Sequence, residues 1–142
     1  MNTILLVDFA GVILNHIEAD GTPIFNHELL TFLRPLKDRH SLHIYTNSYQ
    51  LLQLPSCHSA VSTLFKSLIF AKQRNLPKTQ PESYLILAQE FKVDPSDMIF
   101  IDDSPQNVLA AAQAGVRALL FESNRQVCDE LADLTEPARA SA

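Results

Sequence analysis

Asp8 stands at the end of an apolar run, Thr3-Ile4-Leu5-Leu6-Val7, and much later Met98-Ile99-Phe100-Ile101 leads straight into Asp102-Asp103. Carboxylates gathered in this way make a site for a hard cation, or a nucleophile with a cation beside it. Two further runs, Leu42-His43-Ile44-Tyr45 and Ser67-Leu68-Ile69-Phe70, are followed by Thr46-Asn47 and by a polar, basic loop holding Lys78. Thr46, Asn47 and the N–H groups of a helix start beyond them suit phosphate oxygens. Lys78 offers a point charge for a phosphoryl group and offsets crowded carboxylates. Asp8, ionised and flanked by cations, is placed to be a covalent nucleophile. The predicted chemistry is a Mg²⁺-assisted phosphoryl site, with phosphate contacts at Thr46, Asn47 and Lys78 and metal ligands among Asp8, Asp102 and Asp103.

These residues meet only if the runs are strands of one sheet. Short apolar runs without alternation predict strands buried on both faces, at 3–8, 42–45, 67–70, 98–101 and 116–121. Between them lie helical patterns: Asn26 to Arg39, kinked or split at Pro35; residues 48–65, broken at Pro55; and Pro81 to about Lys92, with Tyr84, Leu85, Leu87, Ala88 and Phe91 on the buried side. Ser104-Pro105 caps and opens a helix ending at Gly115, and a last helix covers 124–134. Residues 9–25, with Gly11, Gly21 and Pro23, read as a loop or small hairpin. Strands alternating with helices predict a Rossmann-like α/β fold, a three-layer sandwich around a five-stranded parallel sheet. The C-terminal ends of all its strands share one edge, where ligands bind. One domain over 3–134 and a C-terminal tail over 135–142 are expected.

Composition narrows the function. The net charge is −5 and the pI about 5.4, with no basic block, so neither a nucleic-acid nor a membrane partner is expected. The N-terminal apolar run has no Lys or Arg before it and is interrupted by Asp8. It predicts neither a signal peptide nor a membrane span, and a cytoplasmic location. Cys57 and Cys128 form no CxxC and read as ordinary thiols. His16, His27, His40, His43 and His58 lack ligand spacing and read as surface or structural residues. Asn107 reads as a helix-surface residue with a supporting role.

The chain resembles the haloacid dehalogenase superfamily over about residues 3–121. The resemblance is carried by Leu6-Val7-Asp8-Phe9-Ala10-Gly11-Val12, Ile44-Tyr45-Thr46-Asn47-Ser48, Pro77-Lys78-Thr79-Gln80-Pro81 and Ile99-Phe100-Ile101-Asp102-Asp103-Ser104-Pro105-Gln106-Asn107. It implies Asp8 as nucleophile and metal ligand, the Ala10 carbonyl as a second ligand, and Asp103 with Asp102 near it completing a magnesium shell. It also implies that Thr46 and Lys78 bind the phosphoryl group. Gln80 departs from the usual Asp of its segment.

Ala10 departs further. Phosphatases of this superfamily carry a second Asp there, which protonates the leaving group and then activates water. Four readings of Ala10 stay open: hydrolysis lost with phosphate binding kept; an engineered replacement; proton transfer by another group or by the leaving group; or a phosphonoacetaldehyde hydrolase, whose opening motif Asp-aromatic-Ala-Gly is similar. The last needs a sizeable cap domain, for which the stretch from Asp8 to Thr46 is too short. Haloacid dehalogenases proper also lack the second Asp but work without metal, which the Asp102-Asp103 pair argues against. Without a cap the site is expected to be open, suiting bulky or macromolecular phosphorylated substrates or a partner acting as a lid. The combined expectation is a Mg²⁺-dependent phosphohydrolase acting through an aspartyl-phosphate on Asp8, impaired by Ala10. The alternative is a non-catalytic phosphate- or phosphoprotein-binding regulatory protein on the same scaffold.

Overall fold

The computed structural model describes residues 3–135. Most of the tail expected at 135–142 lies outside the described residues, and Thr135 itself closes the last helix. In chain order the elements are β1 (Ile4–Val7), β2 (Leu14–Ile17), β3 (Pro23–Phe25), α1 (His27–Leu33), a 3-10 turn (Arg34–Asp38), β4 (Ser41–Thr46), α2 (Tyr49–Leu52), α3 (Pro55–Ser62), β5 (Ser67–Phe70), α4 (Pro81–Phe91), a 3-10 turn (Pro95–Asp97), β6 (Met98–Asp102), α5 (Pro105–Gln113), β7 (Arg117–Leu120) and α6 (Asn124–Thr135).

Five strands form one parallel sheet in the order β5-β4-β1-β6-β7, so β1 is central. The chain leaves β1 for β4 and β5 on one side, then crosses back to β6 and β7 on the other. The strand order therefore reverses beside β1, and its C-terminal end is the crevice where such sheets take ligands.

Both faces of the sheet are covered, which is why its strands read as unbroken apolar runs. Leu5, Val7, Leu42, Ile44, Ile99 and Ile101 face a core completed by Leu29 and Leu33 of α1, Val61 of α3 and Leu131 of α6. The alternate residues Leu6, Tyr45, Met98 and Phe100 face Tyr84 and Leu87 of α4 and Ala110 and Ala111 of α5. Leu85, expected on the buried side of α4, is 48% exposed. The buried stripe there is Ser83, Tyr84, Leu87 and Ala88, and Leu85 falls outside it by one helical step.

The helix expected over Asn26 to Arg39 splits. The α-helix stops at Leu33 and a 3-10 turn carries Pro35, because proline lacks an N–H and its ring crowds the carbonyl one turn earlier. Residues 9–25 contain the antiparallel β2–β3 hairpin. Together with α1 and its turn, that hairpin is all that separates β1 from β4, so no cap domain is inserted there, and none is found among the described residues. No helix among the described residues is long and apolar enough to cross a membrane.

Candidate active site

Asp8 is placed by continuation of the β1–β6 ladder: its N–H donates to the Ile101 carbonyl at 2.9 Å. That sets its side chain beside Asp102, the last residue of β6. Immediately after Asp8 the chain reverses. The Phe9 carbonyl accepts from the N–H groups of Val12, Ile13 and Leu14 at 3.2, 2.9 and 2.9 Å. Gly11 supplies the left-handed residue of this turn, with φ of +88°. A Cβ built on Gly11 would run into the Asp103 carboxylate, so the turn closes directly against that acid. Ala10, between Phe9 and Gly11 in the chain, is half-buried.

Lys78 arrives from the loop after β5 and is almost fully buried. Its Nζ donates to Asp8 Oδ1 at 2.7 Å and is ion-paired with Asp102 Oδ2, also at 2.7 Å. Below it lie the rings of Tyr45 and Phe100, with centroids 5.7 and 5.8 Å from Nζ. Three successive carbonyls pin the loop: Tyr45 Oη donates to Leu76 at 2.5 Å, Ser83 Oγ to Pro77 at 2.7 Å and Tyr84 Oη to Lys78 at 2.7 Å. Sequence reasoning missed these hydroxyls. The signal was present, since a tyrosine on a buried face must find a partner for its hydroxyl.

Asp102 is held from both ends. Its Oδ1 accepts from the Ser104 N–H at 2.9 Å, and its Oδ2 accepts from Asn107 Nδ2 at 3.2 Å besides Lys78. Asn107 is thus a buried member of the site and not the surface residue expected, because the first turn of α5 faces inward there. Ser104 caps α5 as expected, its Oγ accepting from the Asn107 N–H. Asp103 is exposed.

Carboxylate oxygens of Asp8, Asp102 and Asp103 all lie within 4.8 Å of one another. Burial, reinforced by the charges of Asp102 and Asp103 and only partly opposed by Lys78, pushes the Asp8 carboxyl from 3.8 up to about 7. Burial and neighbouring Asp102 raise Asp103 as well. Three acids cluster around a single ammonium, which pairs with Asp8 and Asp102 only, so the cluster is short of positive charge. A small divalent cation held by carboxylate and carbonyl oxygens fits such a donor set.

Thr46 ends β4 on the other side of β1, fully buried, with Oγ1 accepting from the Ser48 N–H at 2.8 Å. Asn47 beside it is exposed. The structure therefore brings Asp8, Lys78, Asp102 and Asp103 into contact and sets Thr46 and Asn47 on the same sheet edge. Both cysteines are free thiols, as expected. Among the described residues no histidine is hydrogen-bonded or ion-paired to the cluster.

Residues 3–115 match the haloacid dehalogenase-like hydrolase family, and the chain belongs to it. Over 101 residues it is 36% identical to flavin mononucleotide hydrolase 1 of Arabidopsis thaliana, an alignment covering 68% of this chain and 40% of that one. This chain thus spans less than half of that relative's length. Among solved structures, an uncharacterised protein from Corynebacterium glutamicum superposes with a TM-score of 0.75 at 17% identity, covering 95% of this chain and 96% of the other. A haloacid dehalogenase family enzyme from Bacteroides thetaiotaomicron gives 0.70 at 14% identity, covering 86% and 95%. That structure is an aspartate-to-alanine mutant in complex with magnesium and inorganic phosphate. These likenesses bear out the capless α/β fold.

Proposed function

We propose that this chain is a magnesium-dependent phosphohydrolase that works through an aspartyl-phosphate on Asp8, with turnover held down by Ala10. The observation that carries the reading is the Lys78 ammonium bridging Asp8 and Asp102 at 2.7 Å within a three-carboxylate cluster. Asp8 Oδ1 is engaged by Lys78, which leaves Oδ2 as the attacking oxygen. Thr46, Asn47 and Lys78 bind the phosphoryl oxygens. Asp8, the Ala10 carbonyl and Asp103, with Asp102 beside them, would hold Mg²⁺. When bound, the ion supplies Lewis-acid charge for the phosphoryl oxygens. Asp102, bonded to Ser104, Asn107 and Lys78, orients the ammonium and the start of α5.

The methyl group of Ala10 moves no proton. General acid–base catalysis is worth 10²–10⁴-fold, so about 3–5 kcal/mol of barrier lowering is missing. The substrate is a phosphorylated molecule for which the open, capless edge leaves room. The Arabidopsis relative makes flavin mononucleotide a compound to try, above all on Ala10→Asp, where an acid for its alcohol leaving group is restored. Ala10 equally favours a second reading, a non-catalytic phosphate-binding protein that keeps the same contacts.

The test is p-nitrophenyl phosphate hydrolysis with Mg²⁺, using Asp8→Asn as the blank. Ala10→Asp is expected to raise turnover roughly a hundredfold or more. If neither the unaltered chain nor Ala10→Asp exceeds the blank while inorganic phosphate still binds, the non-catalytic reading stands instead.

A further inference from the structure

Resting on the aspartyl-phosphate reading, we infer that the preferred phosphoryl donor is a phosphoanhydride or acyl phosphate, and that its leaving group departs as a stabilised anion into the groove beside Thr46 and Lys78. Lys78 is committed to two carboxylates. The hydroxyls of Tyr45 and Tyr84 are spent on the Leu76 and Lys78 carbonyls, and burial raises the pKa of both. His16 pairs with Glu18, His43 with Ser67 and His40 with the Thr3 N–H. None of these groups stands in for the acid that Ala10 lacks. An alkoxide expelled here would leave unprotonated and strongly basic, whereas a carboxylate or phosphate needs no proton to depart.

The groove supplies the matching charge. Two adjoining cavities of about 660 and 340 Å³ share Asn47 and Lys72. Asn47 is bonded directly to Thr46, and Pro77, on the wall of the smaller one, directly to Lys78. The ammonium of Lys72 is exposed and makes no ion pair among the described residues, while nearby Arg74 is taken up by Glu90 at 2.5 Å. The amides of Asn47, Gln50 and Gln73 line the same walls. A cation in a cavity that amide-bearing residues also line suits an anionic leaving group better than a neutral alcohol.

The step balances without a co-reactant. An Asp8 oxygen bonds to phosphorus, the bond from phosphorus to the leaving oxygen breaks, and its electron pair leaves with the carboxylate or phosphate. Water then attacks phosphorus, the bond to Asp8 breaks to restore the carboxylate, and the surplus proton passes to solvent.

Phosphorylation of Asp8, read by intact mass, would be timed with acetyl phosphate, pyrophosphate and glycerol phosphate in the presence of Mg²⁺. Acetyl phosphate and pyrophosphate are expected to react at least about a hundredfold faster than glycerol phosphate. Ala10→Asp should narrow that gap by accelerating glycerol phosphate most. Lys72→Ala should raise KM for pyrophosphate several-fold, and an unchanged KM overturns the role of the groove. Equal rates for glycerol phosphate and acetyl phosphate in the unaltered chain overturn the leaving-group inference alone, leaving the aspartyl-phosphate reading intact. Failure of every donor to label Asp8 overturns both.

Discussion

Replacing Asp8 by Asn should convert a pH-dependent instability of the metal-free protein into a flat baseline. Below about pH 3.8 the carboxyl is protonated in both folded and unfolded chains and costs nothing. Between 3.8 and about 7 the folded protein retains a proton that the unfolded chain has released. Folding stability therefore falls as pH rises through this window, and the full penalty is present above it. A rise from 3.8 to about 7, at 1.36 kcal/mol per pKa step, amounts to about 4 kcal/mol. That is a ceiling, because Asp102 shares the same ammonium and relaxes when Asp8 changes. Asn keeps an acceptor for Lys78 and carries no charge to desolvate. Urea denaturation in a chelator, at about pH 4 and about pH 8, gives the stability difference between the two proteins, in which titrations elsewhere cancel. Asp8→Asn should gain on the unaltered chain toward alkaline pH by up to about 4 kcal/mol. At the alkaline end Mg²⁺ should restore the unaltered chain and do little for the variant. A difference that is independent of pH, or that grows toward acid, would refute the assignment of Asp8 as the strained acid of the cluster.

Other perturbations follow from neighbouring contacts. Lys78→Met strands Asp8 and Asp102 without their shared ammonium and should cost about 3–5 kcal/mol near pH 8, read by urea denaturation. Gly11→Ala forces a side chain into φ of +88° and into Asp103. It should lose at least about 1–2 kcal/mol and weaken calorimetric Mg²⁺ binding. Burial and, less, Lys66 lower His43 from 6.5 to about 4, so its contribution is complete above 6.5 and is lost as pH falls toward 4. The loss amounts to about 3 kcal/mol, and His43→Phe should flatten this acid limb.

The strands were legible because burial on both faces leaves a simple mark, an apolar run ending in a polar residue. Asp8, Thr46 and Asp102 were each read from that mark. Strand order was not written in any run: β1 lies between β4 and β6 because the crossovers return to both of its sides. Lys78 could be placed after a strand, but the hydroxyls that fix its loop could not, since Tyr45 comes from remote β4 and Ser83 and Tyr84 from the helix that turns back over the loop. Asn107 was misread because its neighbours are polar, while α5 turns that one amide inward to Asp102. Leu85 was misread for the converse reason, an apolar residue one helical step beyond the buried stripe.

The cost of the cluster bears on what it is for. Burial, with Asp102 and Asp103 nearby and Lys78 only partly opposing it, raises the Asp8 carboxyl to about 7, so at physiological pH the metal-free fold carries a strain that a single amide would remove. Asp102 has structural work, tying Lys78 to α5 through Asn107 and Ser104. Asp103 makes no comparable bond and is exposed, yet Gly11 is held in a left-handed turn directly against it. A scaffold serving only to fold, or to present a surface, leaves that arrangement without purpose. A cation held between Asp8 and Asp103, as proposed, would relieve the strain and give the turn its reason. On the proposed reading, ligand binding at this edge rests on the retained acids and the rate of turnover on Ala10, and the two can be measured separately.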